Sequence, residues 1–275
     1  MLRISRNDFS ARSVFDGICS GISDARRRER LVFNAPKIER AAHDYEVAGL
    51  GGTIHAIVPA TYAPYGTATT ADFVWLYDQR LVSSVPGRVY YRSIRDSNGG
   101  RCALCTVRGA STLDHHLPKT VHPIFAVCPD NLVPSCKDCN TTKLASVTAT
   151  LNPYFDDLGD GPWLEATVAE TSPATFDFKL VPQPTWSADL TARAQAHFDL
   201  FGLARFYAFQ ADRQVAGIRH ILGRLDRDVG PHAVQLHLQE FAESWSDAEP
   251  NSWEAALYAA LAGSDWFING GHAAL

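Results

Sequence analysis

The sequence predicts an α+β protein: a central zinc-bound unit, an N-terminal region that is mainly helical, and a C-terminal region that runs strand first and helix afterwards. Three observations predict it. Two Cys-x-x-Cys pairs, Cys102 with Cys105 and Cys136 with Cys139, have the spacing of a tetrahedral four-thiolate zinc site. Apolar residues recur at helical spacing over residues 70–81 and again beyond residue 230. The run Thr175-Phe176-Asp177-Phe178-Lys179-Leu180-Val181 alternates as a half-buried strand does, and Pro182 and Pro184 end it. The expected division is 1–97, helical and strand elements with a basic surface; 98–150, the zinc unit and its site; and 151–275, an acidic α+β or helical region.

A chain of 275 residues that is 46% hydrophobic can bury a proper core without a staple. Its six cysteines therefore call for a local explanation: four for zinc, with Cys19 and Cys128 left as buried thiols. The start, Met1-Leu2-Arg3-Ile4-Ser5-Arg6-Asn7-Asp8, lacks the apolar stretch of a signal peptide, and no later run is long and uncharged enough to span a bilayer. A cytoplasmic protein with no membrane partner is expected. The net charge of -5 is unevenly spread, since residues 1–143 carry 18 Lys+Arg against 13 Asp+Glu and residues 144–275 carry 7 against 17. Local potential governs phosphate binding, so the first half can offer a nucleic-acid surface and the second cannot. The acidic half suits a protein partner, or restraint of the basic half, or simply completion of the fold.

Residues 23–33 read as a helix capped by Asp24, with Arg26, Arg27, Arg28 and Arg30 either a solvated face or a binding one. Gly49-Leu50-Gly51-Gly52-Thr53 reads as a turn into a short strand at Ile54–Val58, and it lacks the ending of a phosphate loop. A loop follows over 61–70, then a helix with Phe73, Leu76, Tyr77 and Leu81 on its apolar side. Arg80, Arg88, Arg92 and Arg95, with Tyr90 and Tyr91 among them, either track a phosphate backbone or form the wet side of that helical stretch.

In the centre, Thr112-Leu113-Asp114-His115-His116 reads as a strand ending at Pro118, and Pro134-Ser135 as the opening of a helix that begins near Cys136. Cys136, Cys139, Asn140 and Lys143 then stand at i, i+3, i+4 and i+7, on one helix face. If the strand crosses that face, Asp114 and His115 meet Asn140. Phosphodiester cleavage needs a deprotonated water, charge neutralisation on the phosphoryl group and stabilisation of the leaving alkoxide. Neutral His115 suits the proton transfer near pH 7, while Asp114 and Asn140 offer oxygen ligands for Mg²⁺ or Mn²⁺.

These residues resemble the HNH nuclease family, whose ββα-metal site is built here on a four-cysteine zinc ribbon. The resemblance covers roughly residues 101 to 145 and lies in Asp114-His115, Asn131 and Asn140. It implies His115 as general base, Asp114 and Asn140 as ligands of the catalytic cation, and Asn131 as the residue that ties down the loop. The final position is Asn where the family's name has His. Lys143 falls where such helices often carry a phosphate-facing base; Lys119, Arg92 and Arg95 are further candidates for nucleic-acid contact, with Lys119 and Lys137 ordinary surface lysines otherwise. The flanks resemble bacterial stand-alone HNH proteins found in phage-defence gene clusters. Each residue also has a plainer reading: His116 as a support on the opposite strand face, His122 as a loop residue, Asn131 as a turn former, Asp130 and Asp138 as caps.

After the strand at 175–181 the chain reads as helical. One stripe is Val234, Leu238, Phe241 and Trp245; another is Trp253, Ala256, Leu257, Ala260 and Leu261, capped by Asn251 or Ser252. The expected function is a metal-dependent endonuclease acting on DNA with low sequence specificity. A zinc-ribbon module that binds without chemistry, and an RNA-cleaving enzyme of the same type, are the competing expectations.

Overall fold

A computed structural model describes residues 3–144, 146 and 148–273. Met1 and Leu2, at the start of the stretch that lacks the apolar run of a signal peptide, lie outside them, as does Ala145 at the end of the central segment. The chain is α+β, with two small antiparallel sheets among the described residues, and forms two compact units, Met1–Asp157 and Leu158–Leu275. No helix among the described residues is long and apolar enough to cross a membrane.

The first unit opens with α1 (Ala11–Cys19), α2 (Ala25–Val32) and α3 (Ala35–Leu50). Ser10 caps α1 and Asp24 caps α2, each side chain accepting from the backbone N–H three residues on, at Ser13 and Arg27. The strand expected at Ile54–Val58 is absent: α3 runs through Leu50, and Ile54–Ala56 is a single 3₁₀ turn. Only Ile54 of that run is buried, so the run has no apolar face to lay on the core as a strand would.

The helix expected over 70–81 is two pieces, α4 (Thr70–Trp75) and a π-helical stretch, Leu76–Val82. Asp72 stands at the third position of α4 and completes a reciprocal cap with Thr69. Its other bonds explain half of the arginine cluster. Arg30 meets both carboxylate oxygens, at 2.7 and 2.9 Å, and Arg27 reaches Oδ1 at 3.3 Å while lying 4.4 Å over the Trp75 ring. Arg26 and Arg28 stay exposed. The Arg30 guanidinium pulls the Asp72 carboxyl from 3.8 down to about 2. A depressed carboxyl stabilises the fold above its unfolded value, and that contribution disappears as pH falls from 3.8 towards about 2. Asp72→Asn is therefore expected to cost about 2 kcal/mol at neutral pH and to flatten the acid limb of the urea-unfolding profile.

Helix α5 (Val85–Asp96) follows the π-helical stretch at close quarters. A Cβ at Gly87 would come within 1.9 Å of the Arg80 carbonyl oxygen, so only glycine fits there. Next come β1 (Thr112–His115), β2 (Leu132–Ser135) and α6 (Lys137–Lys143). Residues 1–97 and the four-cysteine segment share one core: Phe15, Ile38, Tyr45, Phe73, Leu76 and Leu81 pack in the same cluster as Leu113, Leu117, Phe125 and Leu132. Cys19 and Cys128 are buried thiols, as expected, and burial pushes each up to about 12.

The second unit is built on the hairpin of β3 (Leu164–Ala169) and β4 (Thr175–Leu180), followed by α7 (Ala188–Leu200), α8 (Leu203–Asp228), α9 (Pro231–Ala248), α10 (Trp253–Ala262) and α11 (Asp265–Ile268). The alternating run at 175–180 is β4, with Phe176 and Phe178 inward and Phe178 edge-on to Tyr207 of α8. Ser252, of the two candidate caps, accepts from Ala255 N–H to start α10. Asn251 instead adopts a left-handed backbone, φ 62°, and its side chain holds Trp163 N–H and the Gly161 carbonyl beside β3. Val234 and Leu238 are fully buried, whereas Phe241 and Trp245 are half-buried; Phe241 stacks on Tyr258 at 4.9 Å.

Candidate functional site

The four cysteines come together as the spacing predicts. Their sulfurs all lie within 4.8 Å of one another, all four residues are buried, and none is in a disulfide. Four sulfurs about 2.3 Å from one ion would be spaced at roughly 3.8 Å, so the cluster fits a tetrahedral metal such as zinc. The local backbone builds it. Around the first pair, Cys102 N–H donates to the Arg108 carbonyl, Thr106 N–H to the Cys102 carbonyl, and Thr106 takes a left-handed φ of 63° that turns the chain back over both sulfurs. Around the second, Cys136 caps α6 and its sulfur accepts from Cys139 N–H at 3.4 Å. Ala103 N–H donates to the Pro134 carbonyl and so joins the two halves. Contact with their neighbouring sulfurs, and burial, push the Cys102 and Cys139 thiols far up. A divalent cation at the centre reverses that sign by drawing off the protons.

Beside the cluster, β1 and β2 pair antiparallel with Thr112 opposite Ser135 and His115 opposite Leu132. Pro134-Ser135 thus ends a strand and does not open the helix; the helix starts only after Cys136. Helix α6 lies against β1, and its Asn140 amide donates to Thr112 Oγ1 at 3.0 Å and to the Leu113 carbonyl at 3.3 Å. Asp114, His115 and Asn140 all line one pocket of about 330 Å³, together with Tyr77, Leu113, Pro118, Lys119, Thr120 and Leu144.

His115 is buried, with Nε2 2.9 Å from the Ala126 carbonyl oxygen and its ring edge-on to Tyr77 at 4.4 Å between centroids. A carbonyl can only accept, so Nε2 carries the proton and Nδ1 the lone pair. Burial lowers the His115 pKa to about 3, so the ring is neutral at pH 7 but, in this closed site, a weaker proton acceptor than the base poised near pH 7 that the sequence leads one to expect. Burial also raises the Asp114 carboxyl, against the opposing pull of Lys143.

Asn131 is fully buried and bonds on every side. Its Oδ1 accepts from Leu117 N–H at 2.7 Å and Tyr45 hydroxyl at 3.2 Å, and its Nδ2 donates to the Leu117 and Phe125 carbonyls. His116 N–H donates to its carbonyl. This residue is more than a turn former: it ties the segment after β1 to the one that supplies the Ala126 carbonyl. Asp130 likewise does more than cap, since it takes a two-point ion pair from Arg6. His122 is the loop residue expected, but a buried one, with Nδ1 lacking a hydrogen-bond partner.

The nucleic-acid candidates scatter. Lys143 is only 2% exposed and reaches no surface phosphate: its ammonium lies on the Asp114 carboxylate and two main-chain carbonyls. Lys119, at the pocket rim, pairs with Asp78 at 2.6 Å and sits over the Tyr77 ring. Arg95 pairs with its neighbour Asp96. Arg92 is exposed, one turn from exposed Arg88 on α5. Arg80 is spent on the Ile18 carbonyl at the end of α1. The sequence reading missed Tyr77, Thr112 and the Ala126 carbonyl as partners of the site. Tyr77 was visible only as one member of an apolar stripe, and a carbonyl has no residue signature.

No family model matches the chain, and no solved structure matches it. It is similar to protein ea31 of Escherichia phage lambda, 28% identical over 280 aligned residues that cover 92% of this chain and 94% of that protein.

Proposed function

We propose that this chain is a metal-dependent endonuclease of the HNH type that hydrolyses phosphodiester bonds in DNA. The observation that carries the reading is the shared pocket of Asp114, His115 and Asn140, set on a β-hairpin and helix beside the four-cysteine cluster. A ribbon that only binds has no use for a buried carboxylate, an imidazole with a fixed tautomer and a carboxamide around one cavity.

In this reading, zinc held by Cys102, Cys105, Cys136 and Cys139 is structural. The donor set of Asp114 carboxylate and Asn140 amide oxygen suits a hard dication, Mg²⁺ or Mn²⁺, which when bound neutralises charge on the phosphoryl group and the departing oxygen. His115 takes the proton from the attacking water at Nδ1, while its Nε2–H bond to Ala126 holds the ring in place. Asn131 keeps that carbonyl in position through its bond to Phe125. Arg92 and Arg88, exposed one turn apart on α5, offer one phosphate contact, and Lys119 at the pocket rim and Arg95 offer others by exchanging their carboxylate partners for phosphate.

The test is incubation of zinc-loaded protein with supercoiled plasmid in Mg²⁺ or Mn²⁺ and in EDTA, with tRNA in parallel. Nicked and linear DNA in metal and intact DNA in EDTA are expected. Plasmid that stays intact at every enzyme excess contradicts the reading, and degraded tRNA beside intact plasmid moves the substrate to RNA.

A further inference from the structure

Lys143 is the buried charge for which the cleavage chemistry has no task. Its ammonium has three protons and three acceptors: the His115 carbonyl at 2.5 Å, the His116 carbonyl at 3.0 Å and Asp114 Oδ2 at 3.1 Å. The three acceptors belong to consecutive residues, so one side chain of α6 clamps the end of β1. It is saturated and hidden from solvent, which rules out a direct phosphate contact. Its closest approach to the Asp114 carboxylate is at Oδ2, and Asp114 itself also lines the pocket.

We propose that Lys143 is a positioning residue that fixes the Asp114 carboxylate at the pocket and, by its own fixed charge, weakens the hold of the site on a dication. The proposal rests on the nuclease reading of Asp114 and Asn140. A dication entering beside Asp114 feels the carboxylate and the ammonium together, and in a site this buried neither is screened by water. A weak hold keeps the ion exchangeable and leaves its charge for the phosphate. A buried pair that served only to stabilise the fold would behave differently: its loss would loosen the strand end and leave the cation bound no more tightly.

The experiment compares zinc-loaded wild type, Lys143→Met and Lys143→Gln. Free Mn²⁺ is read by its electron paramagnetic resonance signal during titration; zinc content and thermal unfolding establish that each variant is folded. Methionine keeps the length and apolar stem; glutamine keeps a donor without the charge. Mn²⁺ affinity is expected to rise about tenfold or more in a folded variant, with slower plasmid cleavage because the clamp on Asp114 and His115 is lost. Unchanged or weaker Mn²⁺ binding in a folded variant overturns the proposal, and so does failure of both variants to fold, because the pair is then structural. Wild-type cleavage separates the two claims. Tighter Mn²⁺ binding in the variants without any wild-type cleavage keeps the tuned cation site and removes the nuclease; cleavage with unaltered Mn²⁺ affinity removes only the role given to Lys143.

Discussion

If the four-cysteine cluster holds zinc, a chain carrying Cys139→Ser is expected to lose it and, with it, the ordered hairpin and helix between residues 112 and 143. The elements concerned are too small to stand alone: β1 and β2 have 4 residues each and α6 has 7. A two-stranded hairpin of this size and a helix of two turns are both marginal in water, so their order must come from tertiary packing and the metal. Structural zinc in comparable sites supplies on the order of 10 kcal/mol of folding free energy. The loss should spread, because Leu113, Leu117, Phe125 and Leu132 belong to the core that also holds α1, α3 and α4. Zinc content should fall from one ion per chain to none, and limited proteolysis should open the 102–143 segment first. A metal-free variant that remains protease-resistant across that segment would show that the thiols are passive.

Replacement of His115 by alanine should have the largest effect on catalysis. Removal of a positioned proton acceptor typically costs 10²- to 10⁴-fold, and no other imidazole lines the pocket. The pocket's other nitrogens belong to Lys119, held on Asp78, and to the Asn140 carboxamide, which does not take up a proton. The variant should fold and bind zinc, because His115 contributes one bond to a carbonyl and one ring contact, whereas the sulfurs lie on the other side of the hairpin's sequence at 102–105 and 136–139. It should in fact lose less stability in mild acid than wild type. A histidine whose pKa drops to about 3 on folding must be neutral in the folded chain, and wild-type stability therefore falls as pH drops below the ordinary 6.5.

Much of this site can be read from local spacing. The four cysteines meet because Cys-x-x-Cys is a local geometry that the metal selects, and Asp24 and Ser252 cap helices by bonds that span three residues. Strand β4 follows from strict alternation, which only a sheet with one covered face requires. Long-range partners have no such signature. Strand β2 contains Pro134 and lies buried against a partner twenty residues earlier, so its own sequence gives neither alternation nor a turn signal. The π-helical register at Leu76–Val82 looks α-helical in its apolar spacing, although it is this extra residue per turn that accompanies Tyr77 against His115. Lys143 shows the limit most clearly: its place on the helix face was legible, but whether that face met water or Asp114 depended on β1 lying across it.

The central claim is that one imidazole acts on phosphodiester bonds beside a bound dication. Its most direct test is the single-turnover cleavage rate of supercoiled DNA in Mn²⁺ by wild type and His115→Ala at matched zinc content. A measurable wild-type rate and a decline of at least about 10²-fold in the variant are expected. Equal rates for the two proteins, with zinc and fold intact in both, would contradict it.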